Sequence, residues 1–147
     1  MRKQIFSALA AGCLVALMIA VPAHAQMPGT PIRATIPFDF IVKGKTLPAG
    51  NYEITRISDS PEGLMIRNVN DKRNHVMFET EPVDTRDMPN RDEIVFLRYG
   101  DSYFLSEVLT ASEETGRALV PSRAERRLRR EMASNGTKPE TVDLAVN

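Results

Sequence analysis

Five arginines fall within eight consecutive positions near the C-terminus: Arg123, Arg126, Arg127, Arg129 and Arg130. A guanidinium is planar, permanently charged and forked, so a cluster of them suits the phosphate, sulfate or carboxylate groups of an anionic polymer or headgroup. The alternative is local: Glu125 stands four residues before Arg129, so the segment could satisfy its charge internally and lie against acidic parts of the same chain. Both readings stay open at this level.

Other groups offer less chemistry. Glu79, Glu93 and Glu107 fall on predicted strands and could meet across a sheet face. Carboxylate-based hydrolysis of a glycoside needs two such groups about 5–10 Å apart in a cleft. Sugar clefts are usually walled by aromatic rings, and this chain has no Trp and three Tyr. Ion pairing of these carboxylates with Arg56, Arg67 or Arg98 is the simpler expectation. Ser106 lies in no G-x-S-x-G elbow, and His75 is the only His beyond His24, so nucleophilic catalysis has little to work with. Two His and one Cys, of which His24 and Cys13 fall within the first 25 residues, leave too few ligands for a nitrogen–sulfur zinc or copper site. Asp84, Asp87 and Asp92 lack the alternating spacing of a calcium loop. The reading is therefore of a non-enzyme, without metal or cofactor.

These groups sit on a chain of 147 residues with zero formal net charge, room for one domain. Its first 25 residues read as a secretory signal peptide. Arg2 and Lys3 form a basic start, an apolar run extends from Ile5 to Val21, and Pro22 precedes Ala23-His24-Ala25, the small-residue pattern before a cleavage site. Cleavage before Gln26 takes away Cys13, so the exported chain would be free of cysteine. Gly12-Cys13 is a degenerate lipobox, and the apolar residues after it argue against lipidation. No later stretch is long and apolar enough to span a membrane. The expected location is the periplasm or the extracellular space, where nucleic acid is not an expected partner.

The body, from residue 26, reads as strands. Ile32, Ala34, Ile36, Phe38, Phe40 and Val42 alternate with more polar positions, the period of a half-buried strand, and Pro37 marks an edge or a break. Further strands are predicted over 51–57, 64–68, 75–80, 93–99 and 102–110. The last two, joined at Gly100-Asp101, form the clearest hairpin. Residues 81–91 read as a polar loop. Six short strands without intervening helical periods imply a mainly β fold, a small antiparallel sandwich or barrel.

The period then changes. Ser122-Arg123-Ala124-Glu125 is a capping box, and Asn135-Gly136 is a helix stop. A helix is predicted over about 122–133, with Ala124, Leu128 and Met132 as a narrow stripe docked on the body. Residues 134–147, with Pro139, read as a flexible tail.

Two stretches carry a resemblance. One is Pro37-Phe38-Asp39-Phe40, Val42, Gly44-Lys45, Leu47-Pro48-Ala49-Gly50 and Tyr52; the other is Arg98-Tyr99-Gly100 followed by Tyr103-Phe104-Leu105-Ser106-Glu107-Val108. With Thr115-Gly116-Arg117 and the helix start they resemble an uncharacterised family of small exported β-rich proteins of environmental bacteria, over residues 36–131. The resemblance implies export and a β-rich fold, and assigns no activity or ligand. Physically, both stretches read first as scaffold.

Together these readings make an exported binding or structural module. The partner would be an anionic envelope polymer held by the Arg helix, or another protein added at a sheet edge near Pro37; a carboxylate-based hydrolase ranks last.

Overall fold

The computed structural model describes residues 30–57, 60–85, 89–111 and 113–146. The expected leader, residues 1–25, lies outside them. The fold is mainly β with one helix near the C-terminus. In chain order the strands are β1 (Ile32–Ile36), β2 (Phe40–Val42), β3 (Lys45–Leu47), β4 (Gly50–Ile57), β5 (Ser60–Asn68), β6 (His75–Asp84), β7 (Glu93–Tyr99), β8 (Ser102–Leu109), β9 (Thr115–Leu119) and β10 (Glu140–Ala145). Helix α1 (Arg123–Ser134) stands between β9 and β10.

These strands form one mixed sheet. The order β1-β4-β5-β6-β9-β8 is antiparallel throughout. β8 pairs β7 along its length, and β7 pairs β10. The other edge of β8 is divided. Glu107 and Val108 pair with β9, whereas Tyr103 and Phe104 pair in parallel with β2. That parallel pair departs from the antiparallel expectation. The sheet does not close into a barrel. Its two halves instead face one another across a single core, with β6 passing from one half to the other.

Inward positions alternate along β4 and β5, as the period-two pattern requires, whereas Ile94, Val95 and Phe96 on β7 and Phe104 and Leu105 on β8 are buried in succession. Tyr52, Ile54, Leu64 and Ile66 come from one half; Ile94, Phe96, Leu105 and Val108 come from the other. Phe40 joins them. Its ring meets Tyr52 edge-on at 5.0 Å and Phe96 at 5.5 Å.

The two sequence motifs explain this junction. Lys43 and Gly44 both have positive φ, 51° and 85°, the pair that a tight type I′ hairpin needs between β2 and β3. Asp39 Oδ1 then accepts the Ala49 N–H at 2.9 Å, and the Tyr52 hydroxyl donates to the Pro48 carbonyl at 2.7 Å. A Cβ on Gly50 would lie 2.9 Å from Asn68 Nδ2, so only glycine lets β4 pass that close. In the second motif Tyr103 stacks on Phe38 at 3.9 Å, and the Arg98 guanidinium lies over the Tyr103 ring at 5.5 Å. Gly100, with φ of 62°, turns the β7–β8 hairpin.

Two expectations are corrected. The expected polar loop at 81–91 begins as strand, because β6 continues through Pro82 to Asp84 and pairs with β9. The expected flexible tail is also ordered: Glu140–Ala145 pairs with β7, and the Val146 N–H donates to the Asp92 carbonyl at 2.9 Å. Val142 and Leu144 pack against the core. A strand of six residues with two inward apolar positions is too short a pattern to stand out after Pro139.

Phe40→Ala should lower unfolding free energy by about 3–5 kcal/mol, and Tyr52→Phe by about 1 kcal/mol, as read by denaturant titration. A Phe40→Ala loss well under that range would show that Phe40 does not tie the two halves together.

Candidate functional site

Ser122 caps α1. Its backbone is extended and its hydroxyl accepts the Glu125 N–H at 3.2 Å. At the other end Asn135 closes the helix, Gly136 takes a φ of 70°, and the Thr137 N–H returns to the Met132 carbonyl at 2.9 Å. Both stop signals in the sequence therefore act as expected. The connection from β9 is pinned by Lys43 Nζ, which donates to the Val120 carbonyl at 3.3 Å.

The face that α1 turns to the sheet differs from the expected stripe. Ala124 is exposed, Leu128 and Met132 are half-buried, and Glu125 is the buried residue of the helix. The cause is a polar anchor on β7. The Tyr99 hydroxyl donates to Glu125 Oε1 at 3.5 Å and accepts from Arg129 Nε at 3.3 Å. Arg129 Nη2 lies 3.9 Å from the same Glu125 oxygen. Tyr99 is itself buried and meets Phe104 edge-on at 5.4 Å. A buried carboxylate must be hydrogen-bonded and paired, and this triad meets both demands.

The anchor fixes where the arginines point. At about 100° per residue, Arg123, Arg126, Arg127 and Arg130 occupy one arc opposite Glu125 and Met132. Arg127 is 82% exposed and pairs with Glu131 at 2.9 Å. Arg126 donates to the Pro121 carbonyl at 2.7 Å. Arg123 and Arg130 have neither hydrogen-bond nor ion partners among the described residues. The helix arginines that form ion pairs do so within α1, and none pairs with a carboxylate of the sheet among the described residues. Of the five, Arg129 alone turns toward the sheet.

Burial raises the Glu125 carboxyl above its ordinary value; the Arg129 guanidinium, the Ser122 amide and the Tyr99 hydroxyl oppose that shift without cancelling it. Glu107 is also raised, by burial and by the nearby Asp143 charge.

Of the three strand carboxylates only Glu93 and Glu107 come near one another. Glu93 and Glu107 are diagonal neighbours on the outer face of β7 and β8. Glu79 lies on β6 in a shallow recess beside Lys43 and Met77, which neither of the other two lines. The expected arginine partners pair with other carboxylates: Arg56 with Glu113 at 3.4 Å, Arg67 with Glu53 at 3.2 Å, and Arg98 with Glu140 at 3.3 Å. His75 is exposed, with Nδ1 3.0 Å from the Lys72 carbonyl. Asp92 accepts the Ala111 N–H at 2.8 Å, and Asp87 lies outside the described residues. Among the described residues no group of three or more His, Cys, Asp or Glu could hold a metal ion. None of their helices is long and apolar enough to cross a membrane.

Sequence reasoning missed Tyr99 as the helix anchor. Its only linear signal was the Arg98-Tyr99-Gly100 motif, about thirty residues from its partners. No family model, curated protein or solved structure matches the chain.

A carboxyl raised by folding stabilises the fold fully below its unfolded value, here 4.5. That contribution is lost as pH rises through the raised folded value. Glu125→Gln should therefore flatten the fall in stability between acid and neutral pH, measured by thermal unfolding across that interval. An unchanged slope would mean that Glu125 is not the titrating group.

Proposed function

We propose that this protein is an exported, non-enzymatic binding module of the cell envelope or extracellular space, and that the outward face of α1 holds an anionic polymer. The observation that carries the reading is the arc of Arg123, Arg126, Arg127 and Arg130, turned from the sheet by the Glu125–Tyr99–Arg129 anchor, with Arg127 alone in an ion pair among the described residues. Each exposed guanidinium–anion contact contributes under about 1 kcal/mol. Binding must therefore use several contacts at once, as a repeating polyanion allows and a single small anion does not. It must also weaken with salt. Export rests on the basic start, apolar run and Ala23-His24-Ala25 of the leader, and on the resemblance to exported proteins.

Retention on immobilised dextran sulfate tests it. The native chain should elute only with added salt, and replacing Arg123, Arg126, Arg127 and Arg130 together with Gln should abolish that retention while the β-sheet circular dichroism persists. A charge-matched control with Arg33, Lys72, Arg73 and Arg91 replaced by Gln should still be retained. Equal losses in both variants would reduce the effect to net charge and defeat the proposal.

A second reading is assembly by strand addition. β1 pairs only with β4 among the described residues, so its other edge can accept a strand from a second chain. Light scattering should then show mass rising with concentration; a strict monomer at high concentration would refute it.

A further inference from the structure

At one end of the fold the two halves of the sheet part, and a cleft of about 330 Å³ opens between the ends of β4 and β5 on one side and of β8 and β9 on the other. Its floor is apolar: Ile32, Ile54, Leu64 and Val108, all buried in the core. Two cations line its walls. Arg56 comes from β4 and already has a counter-charge in Glu113, 3.4 Å away. Arg117 comes from β9, directly opposite Val108 in the strand register, so it shares the inward face of that buried valine. It is half-buried, and among the described residues it has no ion pair or side-chain hydrogen bond.

An inward guanidinium above an apolar floor is expensive to leave without a counter-charge. Arg117 is the only strand arginine of the core-facing side with this environment among the described residues, since Arg56 and Arg98 both have carboxylate partners. Asp92 also lines the cleft. One of its oxygens is held by the Ala111 amide at 2.8 Å, and its charge keeps an anionic group away from that wall and toward Arg117. The volume lies at the small end of ligand pockets. An apolar floor below one forked cation matches a ligand with a short hydrocarbon body and a planar anionic head.

We infer that this cleft binds a medium-chain monocarboxylate, its carboxylate on Arg117 and its chain on Ile54, Leu64 and Val108. The site is separate from the arginine face of α1, so either can fail without the other.

The probe is octanoate, titrated into the full chain and followed through the methyl NMR signals of Ile54, Leu64 and Val108. These signals should shift saturably. Arg117→Gln should weaken binding about tenfold or more, Arg117→Lys should recover much of it, and uncharged 1-octanol should bind about tenfold more weakly than octanoate. The variant lacking the four outward arginines of α1 should bind octanoate like the native chain. The inference is overturned if the folded native protein shows no saturable shift at those methyls. Equal binding of octanol and octanoate would also overturn it, because Arg117 would then play no part. So would loss of octanoate binding in the α1 variant.

Discussion

Strand β8 has two hydrogen-bonding edges and three partners, and the whole arrangement follows from how it shares them. β7 takes one edge entirely. The other is split between β9 near Val108 and β2 near Phe104. The split brings two pieces of chain that are far apart in sequence onto the same strand. β2 delivers Phe40 to the centre of the core, where its ring meets Tyr52 from one half of the sheet and Phe96 from the other. β9 ties β6, and through it β4 and β5, to the same strand. One extra residue on β8, Ser106, shifts the register with β7 between the two junctions. Such a bulge re-aims a strand locally, and here it lies between the stretch of β8 that serves β2 and the stretch that serves β9.

Helix α1 illustrates how a polar contact can outrank an apolar pattern. Ala124, Leu128 and Met132 offer little area, about 25 cal/mol for each Å² buried. The Glu125–Tyr99–Arg129 triad instead determines the rotation of the helix, because a carboxylate leaving water must keep its hydrogen bonds and counter-charge. Once Glu125 is turned inward, helical geometry requires Arg123, Arg126, Arg127 and Arg130 to face outward. The density of arginine that stood out in the sequence thus becomes a directed surface through one tyrosine on another element.

Much of the fold was legible. The break at Pro37 in the alternation of Ile32 to Val42, which separates β1 from β2, the Gly100 hairpin, the Ser122 cap and the Gly136 stop are local signals, and each corresponds to a local feature of the structure. The scaffold reading of the Leu47-Pro48-Ala49-Gly50 motif has a physical basis in the bonds from Ala49 to Asp39 and from Tyr52 to Pro48. Strand β10 was misread as tail because its period-two pattern is brief and its stability comes from β7, not from itself. The strand carboxylates were placed on the right elements, but which arginine met which carboxylate depended on register. Glu53, Glu113 and Glu140 took the partners expected for Glu79, Glu93 and Glu107.

The sequence by itself determined a mainly β chain with a capped C-terminal helix, an arginine-dense segment on that helix, and a scarcity of imidazole, thiol and Trp groups. These follow from residue type, short-range periodicity and turn chemistry, which act over a few neighbouring residues. Only the tertiary structure decided that the sheet stays open, that β2 lies parallel to β8, that Glu125 faces Tyr99, and that Arg117 stands over an apolar floor. Each of those depends on strand register or on contact between distant segments. A shift of one residue in a strand sends every side chain to the opposite face, so composition and spacing alone cannot supply them.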